Sequence, residues 1–346
     1  MIANGAREFF CPDDFPGQKK VSPMFQPIEA AMILAAGFGQ RLRPLTLQRP
    51  KPLLPILNRP LLFRQMETLL KLGVKRLVIN AHHLSGQIAQ ALNDLPQSLS
   101  ALNVSLSLEA SILGTAGGLK KAAPLLFPEP PGLAHPPTAP KSSAFLVMNG
   151  DIFSDLDINA LAIKHAQNPK APLTLALVDR PEKATVSVDK NGQIIALRAK
   201  GPVPGEARRL CGAGIMVMER WFLDFLPEGF SDVIECLIPL LAQGQAPAGH
   251  FFDRGVWADV GTLDDYFALN RFLAQGQKLL SPGADVCGQL LGFVLAQSGA
   301  VIEPGALVED SILLSTARVK TGARVKNAVL AGPVPENAVV SGGVVI

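Results

Sequence analysis

Residues 32–55, MILAAGFGQRLRPLTLQRPKPLLP, are the stretch from which the fold is read. Ala31-Met32-Ile33-Leu34 is a continuous apolar run too short for a helix, as expected of a strand covered on both faces. It breaks at once into Ala35-Ala36-Gly37-Phe38-Gly39, small residues that let a ligand approach bare backbone. Arg41, Arg43, Arg49 and Lys51 follow. A strand feeding a glycine-rich turn points backbone N–H groups outward, and such turns cradle anions. Cations just beyond the turn suit a polyphosphate.

The spacing is not that of the common nucleotide loops. A dinucleotide fingerprint needs a third glycine where this chain has Leu42, and no Gly-Lys-Ser/Thr run follows. Outward from this stretch, short apolar runs alternate with helical ones, the pattern of an α/β fold with a mostly parallel sheet. Pro60 opens a helix through Leu72 with Gly73 after it, and 74–80 reads as a strand. Ser85 is placed to cap a helix reaching about Leu95, and 104–109 alternates as a strand should. Residues 128–143 hold six prolines and no periodicity, so a surface loop or disordered insertion is expected. Residues 144–148 form a core strand running into Asn149-Gly150-Asp151. Helices are expected near 157–167, 220–226 and 232–243, and strands at 172–178 and 214–218. Asn191-Gly192 between two short strands signals a type I′ hairpin. Trp257-Ala258-Asp259-Val260-Gly261-Thr262 leads into a helix ending near Leu273.

The last 65 residues repeat. Val301, Leu307, Leu313, Val319 and Val325 recur every six positions, and Gly305, Ser311, Ala317 and Ala323 stand four positions after the first four. A six-residue period with one aliphatic and one small residue marks a hexapeptide β-helix, here of two or three coils. Its open end, or a sheet edge, is where a second copy of the chain would pair.

Composition excludes several classes. At 346 residues and 48% apolar content, one large domain plus a smaller one is expected. No apolar run approaches the roughly 18 residues of a membrane span. The net charge is +3 with no basic block, which argues against nucleic acid. Cys11, Cys211, Cys236 and Cys287 are scattered, which suits a reducing cytoplasm and not a structural zinc site. Residues 1–27 lack the layout of a signal peptide and read as a disordered or extended segment.

The opening stretch, G-x-G-x-R-L-x-P-L-T followed by P-K-P-x-x-P, resembles the signature of the sugar-1-phosphate nucleotidylyltransferases, closest to the mannose-1-phosphate guanylyltransferase-like branch. The resemblance covers about 30–275, with a β-helix after it, and implies a Rossmann-like (GT-A-like) mixed, mostly parallel sheet with helices on both faces. It assigns 28–278 to the catalytic domain and 282–346 to a short left-handed β-helix. It implies Arg41 and Lys51 as catalytic cations, with Leu34, Ala35, Ala36, Gly37 and Gly39 along the nucleotide. Asp151, at the carboxyl end of a core strand where such sheets bind ligands, and Asp259 match the family's Mg²⁺-binding aspartates. Gly114 and Thr115, in Leu113-Gly114-Thr115-Ala116-Gly117-Gly118, match the loop receiving the base. Glu109 lies five residues before Gly114, and its two acceptor oxygens complement the N1–H and 2-amino donors of guanine.

The sugar side departs from the family. Where members have Glu-Lys-Pro this chain has Ala199-Lys200-Gly201-Pro202, leaving Lys200 for the sugar phosphate, with Asn149 beside it. Gly212-Ala213-Gly214-Ile215 lacks the usual asparagine. The implied reaction joins an NTP, GTP favoured, to a sugar 1-phosphate resembling mannose 1-phosphate and releases pyrophosphate. Transfer from UTP or dTTP to glucose 1-phosphate or a related sugar phosphate, and a non-catalytic regulatory subunit, are the alternatives. A β-helix acyltransferase is disfavoured, since no histidine follows His250. His82 and His83 read as loop or rim residues.

Overall fold

The computed structural model describes residues 28–128 and 144–346. The extension expected over 1–27 and all but the first residue of the proline-rich segment lie outside the described residues.

Among the described residues nine strands form the main sheet. In chain order they are β1 (Ala30–Leu34), β2 (Arg76–Ala81), β3 (Asn103–Leu108), β4 (Ala144–Asn149), β5 (Leu173–Val178), β6 (Val186–Val188), β7 (Ile194–Leu197), β8 (Arg208–Glu219) and β9 (Ala248–Phe252). β3, β2, β1 and β4 lie side by side and parallel. The long β8 then runs antiparallel to β4 and pairs with β5 and β6 along its other edge. β1 carries side chains into both layers: Ala31 and Ile33 into one core, Ala30 and Met32 into the other. That double coverage is why its sequence is a continuous apolar run.

Helices α1 (Leu61–Lys71), α2 (Ser85–Asn93) and α4 (Ile158–Ala166) pack Leu62, Met66, Leu69, Ile88 and Leu161 on one face. Helices α3 (Gly114–Leu126) and α5 (Val233–Ala242) cover the other with Leu119, Ala122, Val233 and Leu237. Asp157 and Asp232 cap α4 and α5 through their carboxylates. The helix α6 (Leu263–Ala274) begins with a Thr262/Asp265 capping box.

Two local expectations are corrected. Ser85 is the first residue of α2, and the cap position belongs to Leu84, in the left-handed region at φ 51°. The β6–β7 turn is not type I′: only Gly192 has a positive φ, and the Asp189 carboxylate accepts from the N–H groups of Asn191 and Gln193. An Asx-type bond thus organises that loop, and asparagine need not leave the ordinary region.

The C-terminal strands stack in parallel as a β-helix. Its first strand is Lys278–Leu280, and one face carries four strands, more than two or three coils allow. Ile302 pairs with Val319 and Val308 with Val325, a coil of 17 residues and not 18. The hexapeptide phase therefore slips. Ile302 and Val308 point inward with Leu313, Val319 and Val325, whereas Val301 and Leu307 are only half-buried. The slip is absorbed at a corner where Gly292, Asp310 and Asn327 all adopt positive φ. Asp310 lies so close to Gly292 that a Cβ there would meet its carboxylate.

One β-helix face packs on the first domain. Phe293, Leu295, Ile312, Leu314 and Val329 join Leu45, Leu54, Leu61 and Tyr266 in a shared core. Tyr266 is fully buried and donates to the Pro55 carbonyl at 3.0 Å. Arg49 donates to Gln297 and Ser315, and Asn58 to the carbonyls of Leu279 and Ala296. The cation-bearing segment is thus braced from behind. No helix among the described residues is long and apolar enough to cross a membrane.

Candidate active site

The loops after β1 and β4 leave neighbouring parallel strands at their carboxyl ends, where the strand order reverses and a crevice opens. Gly150 N–H donates to the Leu34 carbonyl at 2.8 Å. A Cβ at Gly150 would stand 2.8 Å from that same oxygen, so glycine is what allows the two loops to meet. Gln65, 3% exposed on α1, donates to the carbonyls of Asn149 and Ile152 and clamps the Asn149-Gly150-Asp151 turn from below.

Asp259 reaches this turn through a short antiparallel pairing of Trp257–Asp259 with Ile152–Ser154. Asp259 stands opposite Ile152, and Val260 N–H donates to the Asp151 carbonyl at 3.0 Å. The two carboxylates converge on Lys51, whose Nζ lies 2.5 Å from Asp151 Oδ2 and 3.7 Å from Asp259 Oδ1. The Arg41 guanidinium adjoins Gly261, close enough to meet a Cβ built there at 3.0 Å. Arg41, Lys51, Asp151 and Asp259, spread over 219 positions of sequence (41 to 259), therefore meet at one point.

Asp259 Oδ1 is buried and has no hydrogen-bond partner. Lys51 Nζ, 3.7 Å away, lies beyond hydrogen-bond reach, which leaves this oxygen to be completed by a further cation. No cluster of three or more His, Cys, Asp or Glu side chains is placed to hold a metal among the described residues. A carboxylate pair that leaves the remaining positions to water and phosphate oxygens suits Mg²⁺.

One expectation for the glycine-rich turn after β1 is corrected. Ala35 N–H is not free for a ligand, because it donates to Asn80 Oδ1 at 2.6 Å. Gly39 sits at φ 61° against Thr46, whose hydroxyl donates to the Gly39 carbonyl. Gly37 faces open space. Phe38 is partly exposed beside His82 and His83. Those histidines bond to the carbonyls of Glu109 and Thr46, the structural loop role expected of them.

Asn80 is a residue that sequence reasoning missed. It is 2% exposed, and while its oxygen holds Ala35 its Nδ2 donates to Glu109 Oε1 at 2.7 Å. Glu109 Oε2 accepts from Leu113 N–H at 2.9 Å. Gly114–Gly118, expected as a loop, are the first turn of α3, and Glu109 lies beneath it at Gly118, where a Cβ would strike its carboxylate at 2.9 Å. Each of its oxygens keeps a second acceptor position. Gly114 is at φ 70° with the Ser231 carbonyl packed against it, and the Thr115 hydroxyl accepts from Val233 N–H at 2.8 Å. The start of α3 is thus strapped to the start of α5. The only signal for Asn80 and Gln65 was a polar side chain on an otherwise apolar face.

A cleft of about 220 Å³ opens beside the carboxylates, lined among others by Thr115, Asn149, Lys183, Arg198, Cys211 and Asp232. Asn149 packs against Gly214, whose φ of 68° falls where β8 shifts register. Burial pushes the Cys211 thiol up, so it is a poor nucleophile. Lys200 does not line the cleft. It is exposed on a loop whose flanking carbonyls, at Ala199 and Gly201, accept from Arg209. Arg198 and Lys183 stand in the cleft instead.

Residues 30–276 match the family described as Nucleotidyl transferase. The chain is 28% identical over 315 residues to a mannose-1-phosphate guanylyltransferase of Mycobacterium tuberculosis, covering 86% of this chain and 82% of that one. It is 31% identical to a mannose-1-phosphate guanyltransferase of Aspergillus oryzae, covering 74% of this chain and 68% of the other. A catalytic subunit beta from Dictyostelium discoideum, also a mannose-1-phosphate guanylyltransferase, is 30% identical over 75% of this chain and 70% of its own. In three dimensions the fold is similar to HddC from Yersinia pseudotuberculosis, also solved as a complex with GMP-PN, at a TM-score of 0.55 and 20% identity, over 70% of this chain and 98% of that one.

Proposed function

Since the chain belongs to the nucleotidyl transferase family, we propose that it transfers a guanylyl group from GTP to a sugar 1-phosphate resembling mannose 1-phosphate, in the cytoplasm. The observation that carries this reading is Lys51 held between Asp151 and Asp259, at 2.5 and 3.7 Å, beside a cradle of small residues and a 220 Å³ cleft. A phosphate oxygen of the sugar attacks the α-phosphorus, the bond to the bridging oxygen breaks, and pyrophosphate leaves with the electron pair. The nucleophile is already an anion, so no general base is required. The protein's part is alignment and charge neutralisation.

Arg41 and Lys51 face the charge that accumulates on the phosphates. Asp151 and Asp259 would hold Mg²⁺, which when bound supplies Lewis-acid polarisation and a template for the triphosphate. The Ala36–Gly39 backbone follows the nucleotide. Leu34 presents its carbonyl to Gly150 and so sets the distance between the two loops. Glu109, with acceptor capacity to spare beneath the first turn of α3, favours the donor edge of guanine. The names of the three relatives point the same way.

Pyrophosphate release measured with Mg²⁺ across a panel of NTPs and sugar 1-phosphates tests the proposal. GTP with mannose 1-phosphate should be the best pair, and Asp151→Asn should remove turnover. No turnover with any pair overturns the enzyme reading; turnover with UTP but not GTP overturns the guanylyl one.

A further inference from the structure

We infer that Lys183, and not Lys200, is the residue that binds the phosphate of the incoming sugar, an inference that rests on the transfer reaction proposed above. In-line attack brings two phosphate groups into contact next to Asp151 and Asp259. Arg41 and Lys51 lie on the triphosphate side, so the sugar side needs a cation of its own, directed into the cleft.

Two cationic side chains line that cleft, Lys183 and Arg198. Arg198 is already neutralised, at 3.0 Å from Asp232 and 3.3 Å from Glu235. Lys183 is differently held. Its Nζ lies 3.4 Å from Asp259 Oδ2, long for a charge-assisted bond, and its side chain is 35% exposed. It ends a 3-10 turn, Pro181–Lys183, that follows the carboxyl end of β5, the side of the sheet on which ligands sit.

The position is also preorganised. Nζ lies 5.8 Å from the centre of the Trp257 ring. Trp257 is 6% exposed and anchored by its indole N–H on the Ala213 carbonyl at 2.8 Å. An aromatic shelf holds a cation in place without neutralising it. Lys183 thus stands where a phosphate attacking next to Asp259 must arrive, with a weak carboxylate contact to exchange for a phosphate oxygen.

The test compares Lys183→Met, Lys183→Arg and Lys200→Met with wild type. The KM values for mannose 1-phosphate and GTP are read separately. The Kd for mannose 1-phosphate is read by calorimetry with Mg²⁺ and a non-hydrolysable GTP analogue present. Lys183→Met should raise the sugar-phosphate KM and Kd by about tenfold or more while the GTP KM stays within about twofold, as loss of one charge-assisted contact implies. Lys183→Arg should recover part of the loss. An effect of Lys200→Met equal to or larger than that of Lys183→Met overturns the inference, as does a Lys183→Met enzyme with an unchanged sugar-phosphate KM and Kd. Lys183→Gln, which keeps much of the stem on Trp257, is read if the methionine variant shows no cooperative melt. A wild-type protein that neither turns over nor binds any sugar 1-phosphate overturns the transfer reading and this inference together, whereas active wild type with an unaffected Lys183→Met overturns the inference alone.

Discussion

Gly150→Ala is the smallest change that separates the two halves of the site. The added Cβ would lie 2.8 Å from the Leu34 carbonyl oxygen and 3.3 Å from Ala35 Cα, both backbone atoms that no rotamer change can move aside. Reaching ordinary van der Waals separation requires the β1 and β4 loops to part by roughly 0.5 Å. That parting lengthens the 2.8 Å bond from Gly150 N–H to Leu34, in a buried place where a hydrogen bond contributes about 1 kcal/mol. Residual strain brings the total loss of stability to about 2–4 kcal/mol. Asp151, the next residue, moves away from Lys51, its 2.5 Å partner. A misplacement of about 1 Å costs on the order of 100-fold in rate, so half of that predicts roughly a tenfold loss in kcat/KM. The assay is Mg²⁺-dependent pyrophosphate release, with a thermal melt on the same samples. Activity within twofold of wild type and an unchanged melting temperature would refute the account of how the loops are joined.

Asp259→Asn removes the charge proposed to hold the metal without changing shape. Turnover should fall by about 100-fold or more and the Mg²⁺ concentration for half-maximal rate should rise, whereas a wild-type Mg²⁺ titration would sink the assignment. Tyr266→Phe leaves the buried Pro55 carbonyl without its donor. It should cost about 1–3 kcal/mol and lower the melting temperature by several degrees, measured by scanning calorimetry. Arg49→Met deletes two bonds to the β-helix, to Gln297 at 3.1 Å and Ser315 at 3.2 Å. The cost should be about 2 kcal/mol, and amide exchange over 297–315 should quicken while α2 keeps its protection; exchange that quickens equally everywhere would mean the bonds do not join the domains.

What could be read along the chain was whatever backbone chemistry writes locally. The apolar run 31–34 had to be a covered strand, since both of its faces meet helices. Gly37 and Gly39 marked a tight turn after β1, and Gly39 does adopt a positive φ there. The β-helix was legible as a class because its period is short, yet its phase was not. A coil of 17 residues turns Val301 and Leu307 outward and Ile302 and Val308 inward, and coil length is set by stacking between neighbours, not by the repeat itself.

The rest depended on contacts between residues far apart in sequence. Asn80 and Gln65 carry no motif. They matter because pairing of β1 with β2 and packing of α1 under the Asn149-Gly150-Asp151 turn bring their amides to backbone groups that would otherwise be buried without partners. The same pairing takes the Ala35 N–H away from any ligand. Lys200 matched a pattern by position, but Arg209 straps its loop outside the cleft while a 3-10 turn and the Trp257 ring carry Lys183 into it. The sequence alone determined the glycine-rich turn, the cations that follow it and two distant aspartates. Tertiary structure decided which donors are already paired and which cations line the cleft, because a side chain's direction and partners depend on strand register and packing, which the neighbours of a residue in sequence do not specify.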